Sequence, residues 1–166
     1  MVSQRSAEPK LLLLTGIPGT GKTTLGDYLQ RERGFRHLDF ESGILGQYIN
    51  GNQVIDAQVA ALKASGDSAV ITWGFLPAEQ LAAVLRLREL GFEWFWLDGS
   101  REAATQAFLK RGTVTQELLD LQLSRIAEHL DPRMDELQPV LIDTFDEHGQ
   151  HRALDEIVEE LLDGRS

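Results

Sequence analysis

Short apolar runs alternate with amphipathic stretches along most of this 166-residue chain. The apolar runs predict strands at Lys10–Leu14, Phe35–Asp39, Ala69–Trp73, Trp94–Leu97 and Val140–Asp143. Between them, apolar positions recur at helical spacing. They predict helices over Lys22–Arg33, Ser42–Tyr48, Gln53–Ala64, Pro77–Leu90, Arg101–Arg111, Gln116–Leu130 and Ala153–Leu162. Gly34, Gly66 and Gly91 fall just past helix ends, where C-cap glycines sit. Thr113-Val114-Thr115-Gln116 reads as a capping box, Asn50-Gly51 as a turn, and Asp131-Pro132 as a helix stop. Strands alternating with helices imply an α/β fold in three layers, a five-stranded parallel sheet flanked by helices. Ligands of such sheets bind beyond the carboxyl ends of the strands, so those are the residues to read for function. Residues 1–9 are polar and aperiodic and are expected to form a loose tail. Residues 10–166 show neither repeat nor low-complexity segment and read as a single domain.

Composition narrows the partners. Hydrophobic residues make up 42% and charged residues 25%, as in ordinary globular domains. No apolar run approaches the roughly 18 residues that would predict a membrane-spanning helix. The absence of cysteine excludes disulfides, thiolate zinc sites and cysteine nucleophiles, and fits a cytoplasmic protein. A net charge of −10 repels nucleic acid and anionic lipid, and no Lys/Arg-rich run marks a local exception. Neither nucleic acid nor membrane is an expected partner.

Against that acidic background, one stretch carries chemistry. Gly16-Ile17-Pro18-Gly19-Thr20-Gly21-Lys22-Thr23 fits Gly-x4-Gly-Lys-[Ser/Thr], the Walker A phosphate loop. Leu11-Leu12-Leu13-Leu14 leads in as a strand, and Thr24-Leu25-Gly26-Asp27 leads out as a helix. Glycines let successive backbone N–H groups turn inward toward phosphate oxygens, and the helix adds the positive end of its dipole. Gly16, Pro18, Gly19, Thr20, Gly21, Lys22, Thr23 and Thr24 are therefore the candidate ATP-binding set. Lys22 is placed to meet the β- and γ-phosphates, and the Thr23 hydroxyl to ligate Mg2+.

The other strand ends supply candidates of their own. Asp39 and Glu41 lie two residues apart where the second strand closes, so both can face one side. One carboxylate beside Mg2+ and one beside an acceptor hydroxyl is what phosphoryl transfer needs; the bland alternative is a pair capping the next helix. Trp73-Gly74 follows the third strand, with Trp73 either stacking on a substrate or filling the core, and Gly74 permitting close approach. Trp94 and Trp96 alternate on the fourth strand and read as core. His148 and His151 have helical spacing but no metal motif around them.

The phosphate loop, the Asp39-x-Glu41 pair and the order of elements from residue 10 to 163 resemble the small-molecule and nucleotide kinase group of shikimate kinase, gluconate kinase and adenylate kinase. The resemblance implies a P-loop NTPase fold with a short helical lid, here about residues 112–130. It implies transfer of the ATP γ-phosphate, with Mg2+, to a small-molecule acceptor. It places Thr23 and Asp39 at the metal, Glu41 at the acceptor, Trp73 and Gly74 along the substrate, and Arg111 and Arg125 over the transferring group, Arg111 also against the nucleotide. Arg133 is a reserve for that last role. The loop after the fifth strand passes the adenine in those kinases. Trp73 stands where adenylate kinases carry an aspartate, which weakens a nucleoside monophosphate acceptor and throws the metal onto Asp39. A nucleoside monophosphate kinase, a polynucleotide kinase and a non-catalytic ATP-binding switch remain as alternatives.

Overall fold

Leu11-Leu12-Leu13-Leu14 forms the middle of the molecule because each of its two faces meets a different apolar layer. In the computed structural model, which describes residues 9–16, 20–40, 52–74, 77–98 and 116–163, this segment opens strand β1 (Leu11–Gly16). It is followed by α1 (Lys22–Arg33), β2 (Arg36–Asp39), α2 (Asn52–Ser65), β3 (Ala69–Thr72), α3 (Pro77–Glu89), β4 (Glu93–Asp98) and α4 (Gln116–His129). A 3-10 turn (Asp131–Arg133), a short helix α5 (Met134–Leu137), β5 (Val140–Asp143) and α6 (Leu154–Leu162) complete the described chain. The strands lie in the order β2-β3-β1-β4-β5, all pairings parallel. The expected α/β three-layer architecture is present. The helices expected at Ser42–Tyr48 and Arg101–Arg111, the capping box, the Asn50-Gly51 turn and the tail before residue 9 lie outside the described residues.

Period-two alternation sorts the core. Leu13, Ile71, Trp94 and Trp96 face one side, with Val59, Leu62, Val84 and Leu87 from α2 and α3 packed on them. Leu12, Leu14, Val70, Phe95 and Leu97 face the other, covered by Leu25 and Leu29 of α1 and Ile157, Val158 and Leu161 of α6. Burying such side chains stabilises the fold by roughly 1.5–3 kcal/mol each, which is why a sheet buried on both faces reads as continuous apolar runs. Two polar side chains enter this core with their bonds made. The Thr15 hydroxyl donates to the Phe95 carbonyl at 2.8 Å and accepts the Trp94 indole N–H at 2.8 Å. They tie β1 to β4 one residue before the phosphate loop begins.

Gly34 ends α1 in the left-handed region at φ 70°, its N–H returning to the Leu29 carbonyl, as a C-cap glycine does. After α4 the chain does not simply stop at Asp131-Pro132. Proline sits at the start of the 3-10 turn, and α5 follows, with Leu137 buried.

The segment expected as a lid, about 112–130, ends inside the core. Ile126 and Leu130 are 5% and 0% exposed and belong to the core on the α2/α3 side. The last turn of α4 therefore packs as part of the core.

Candidate functional site

The parallel sheet brings the ends of β1, β2, β3 and β4 to one edge. Gly16 pairs beside Leu97, and Asp39 beside Thr72. Gly16 has φ 155°, and an added Cβ would lie 3.1 Å from the Thr20 hydroxyl and hard against the Leu97 carbonyl. A side chain at the mouth of the loop is thus excluded by crowding. Gly21, the N-cap of α1, is left-handed at φ 86°. Ile17, Pro18 and Gly19 lie outside the described residues.

Lys22 is only 8% exposed, with Nζ 3.4 Å from the Gly16 carbonyl oxygen it donates to. The stem is sheltered and the ammonium folds back onto the Gly16 carbonyl. Thr20 is buried, Thr23 half-buried and Thr24 exposed. The Thr23 hydroxyl donates to Asp39 Oδ2 at 3.4 Å. Two residues expected at the metal, 16 positions apart in sequence, are thereby in contact.

The remaining candidates divide. Trp73 is 3% exposed and packs edge-on against Phe40, ring centroids 5.5 Å apart, so its observed contact is with the core. Gly74, next to it, is half-buried. Arg125 is half-buried on α4 and makes no ion pair among the described residues. Arg133 is spent on a surface pair with Glu136 at 3.5 Å. Glu41 and Arg111 lie outside the described residues.

Two features escaped the sequence. The first is a cavity of about 220 Å³ beside the phosphate loop, lined by Thr20, Gly21 and Thr24 from one side and Thr144, His151 and Arg152 from the other. A hairpin builds its far wall. Asp146 Oδ1 accepts the backbone N–H groups of His148 at 2.8 Å and Gln150 at 2.9 Å. Those bonds, the Gln150 N–H first, hold the Asp146 carboxyl below its usual range although burial opposes the shift. The turn returns His151 onto Phe145, ring centroids 4.4 Å apart. His148 and His151 carry no metal motif, and nothing in their spacing tells that one would line a cavity at the loop. Arg152 is held by the Asp143 carbonyl at 2.6 Å and by Glu160 at 3.3 and 3.4 Å.

The second is a buried histidine. His37, on β2, contacts the Asp27 carboxylate through Nδ1 at 2.8 Å and the Thr72 hydroxyl through Nε2 at 2.7 Å.

The oxygens present suit a hard cation supplied with a nucleotide. Thr23 and Asp39 offer a hydroxyl and a carboxylate 3.4 Å apart. Mg2+ takes one or two protein oxygens, phosphate oxygens and waters rather than a full protein cage. Among the described residues no group of three or more His, Cys, Asp or Glu could hold a metal without such help.

The fold is that of the P-loop small-molecule kinases. A gluconokinase from Sinorhizobium meliloti 1021 superposes at TM-score 0.56 with 20% identity, over 95% of this chain and 91% of that one. A sugar kinase from Janibacter sp. HTCC2649, in an unliganded structure, gives 0.60 with 20% identity over 93% of each. A shikimate kinase from Bacteroides thetaiotaomicron gives 0.57 with 16% identity, over 93% and 96%. No protein-family model and no curated protein sequence matches the chain.

Proposed function

We propose that this protein is an ATP- and Mg2+-dependent phosphotransferase that moves the γ-phosphate to a hydroxyl of a small molecule. The observation that carries the reading is the Thr23–Asp39 oxygen pair beside a folded-back Lys22, within a fold shared with gluconokinase, sugar kinase and shikimate kinase. In this reading Gly16, Pro18, Gly19, Thr20, Gly21 and Thr24 cradle the phosphates. Lys22 leaves the Gly16 carbonyl for the β- and γ-phosphate oxygens. The base enters the cavity between Thr24 and His151, a volume ample for a purine. Mg2+, when bound, would supply charge neutralisation for the transferring phosphoryl group, and Thr23 and Asp39 are the residues that would hold it. Glu41 takes the proton of the acceptor hydroxyl as its oxygen bonds to phosphorus and ADP leaves. Arg111 and Arg125 stabilise the charge on the transferring group. Gly74 lies where the acceptor approaches, and Trp73 supports that wall from the core.

A nucleoside monophosphate acceptor is disfavoured because Trp73 occupies the strand-end position of a carboxylate. The net charge of −10 disfavours a polynucleotide, and a cytoplasmic site of action belongs to the same reading. No helix among the described residues is long and apolar enough to cross a membrane.

The test is phosphate transfer from ATP to a panel of sugars, sugar acids and alicyclic hydroxy acids, followed by mass spectrometry, with Lys22→Ala as control. A phosphorylated product formed by wild type alone supports the reading. ATP hydrolysis with no acceptor phosphorylated favours an ATPase, ATP binding without turnover favours the non-catalytic switch, and failure to bind ATP overturns all of these.

A further inference from the structure

On β2, His37 and Asp39 alternate onto the same side, two residues apart. On α1, Thr23, Gly26, Asp27 and Gln30 fall at spacings of three, four and seven, one stripe of a helix. The two stripes meet in a ladder. Thr23 bonds Asp39 at 3.4 Å, Asp27 bonds His37 Nδ1 at 2.8 Å, and Gln30 Oε1 accepts the His37 backbone N–H at 3.2 Å. Gly26 is the gap that admits the ring. A Cβ there would lie 2.7 Å from His37 Cδ2 and Cε1, and closer still to Nε2. The far nitrogen bonds the hydroxyl of Thr72, whose Cα is the register partner of Asp39.

We infer that His37, held between Asp27 and Thr72, is a positioning residue that sets the spacing of Asp39 and Thr23 and so the grip on a nucleotide-bound divalent cation. The inference rests on the phosphotransferase reading. The imidazole side chain is only 5% exposed and both its nitrogens are bonded, so it cannot rotate without breaking a bond to α1 or to β3. A rigid ring locked at both ends fixes how far β2 stands from α1. Asp39 is one rung further along that spacing, and a cation held partly by it and partly by Thr23 reads the spacing directly. Partners that orient a ligand in this way are worth about 10- to 100-fold in metal affinity.

The experiment measures Mn2+ affinity by electron paramagnetic resonance, with a non-hydrolysable ATP analogue present. Analogue affinity in EDTA and the melting temperature are followed in parallel. Asp27 is 64% exposed, so Asp27→Ala should fold and still lose one end of the strut. It is expected to weaken Mn2+ binding by roughly 3- to 10-fold, the net weight of one solvent-exposed hydrogen bond, and Asp27→Asn, which keeps an acceptor, should restore it. Gly26→Ala displaces the ring and should cost about 10- to 100-fold. Adding His37→Ala to Gly26→Ala removes the clash, so the melting temperature should recover while Mn2+ affinity does not. Affinity for the metal-free analogue should stay unchanged throughout. Unchanged Mn2+ affinity in Asp27→Ala and Gly26→Ala, or affinity that recovers with the melting temperature in the double variant, would show that His37 is packing alone. A wild type that binds nucleotide without Mn2+ overturns the phosphotransferase reading, and the positioning role with it. A wild type that binds Mn2+ alongside indifferent variants overturns the positioning role alone.

Discussion

Lys22→Met separates nucleotide recognition from folding, and the structure sets the size of both effects. Lys22 is 8% exposed and donates to Gly16 at 3.4 Å, a long bond to a neutral carbonyl. Such a bond contributes at most about 1 kcal/mol. Methionine keeps most of the apolar stem and removes an ammonium that is costly to shelter from water. The two changes oppose one another, so the nucleotide-free melting temperature should move by no more than about 4 °C, at 2–4 °C per kcal/mol for a chain of this size. Ligand at 100 times its dissociation constant stabilises the wild type by about 2.7 kcal/mol, or roughly 5–11 °C. Losing charge-assisted bonds to two phosphates costs about 3 kcal/mol, which weakens binding some 160-fold. At the same ligand concentration the variant then gains about 0.3 kcal/mol, a shift near 1 °C. Differential scanning fluorimetry with and without a Mg2+–ATP analogue reads both numbers. A variant that keeps the full ligand-induced shift refutes the phosphate-loop assignment. A variant that unfolds without ligand refutes the claim that Lys22 is placed for a ligand and not for the fold.

Asp39→Asn should raise the Mg2+ concentration needed for half-maximal nucleotide binding by about tenfold or more, since a neutral amide is a poorer ligand for a hard cation; isothermal titration across a Mg2+ series reads it. Leu130→Ala should cost about 2–5 kcal/mol and lower the melting temperature by roughly 4–20 °C, because Leu130 is 0% exposed; a cost below 1 kcal/mol would mean that the end of α4 moves as a lid after all. Asp146→Ala should loosen the hairpin and weaken binding of the ATP analogue. Because the folded carboxyl sits below its usual value of 3.8, the turn's contribution is present above that pH and is lost as pH falls through the lower, folded value; the Gln150 amide chemical shift should follow that titration and lose it in the variant.

What could be read from the chain was whatever depends on short-range order. All five strands fell at the expected places; β1, β3 and β4 did so because strands covered on both faces need apolar segments, whereas the edge strands β2 and β5 are only partly covered and mix polar with apolar residues. The Gly-x4-Gly-Lys-Thr pattern was legible because it is contiguous. Features made by residues distant in sequence were not. Thr15 and Trp94 bond across 79 positions, and His37 and Thr72 across 35, with no pattern in either segment that names its partner. The 3-10 turn and α5 were hidden by Pro132, a residue that ends one helix and opens the next turn equally well. His151 had no motif to announce a role, because its position depends on the Asp146 turn and on the ring of Phe145.

The unusual residue of this site, Trp73, connects these strands of argument. A carboxylate at the end of β3 would share the metal with Asp39, and its position would be fixed by the sheet itself. With Trp73 turned into the core against Phe40, that support is gone. Asp39 is the last residue of a strand at the edge of the sheet, bonded on one side only, to β3. An edge strand is the part of a sheet least constrained by its neighbours. In the proposed function Asp39 is a metal ligand and needs fixing from the other direction, and α1 is the element that offers it, through Asp27, Gln30 and the gap at Gly26. The burial of a polar histidine between helix and edge strand, costly anywhere its nitrogens go unpaired, then has a physical reason. It transfers the rigidity of the helix that carries the phosphate loop to the strand that carries the carboxylate.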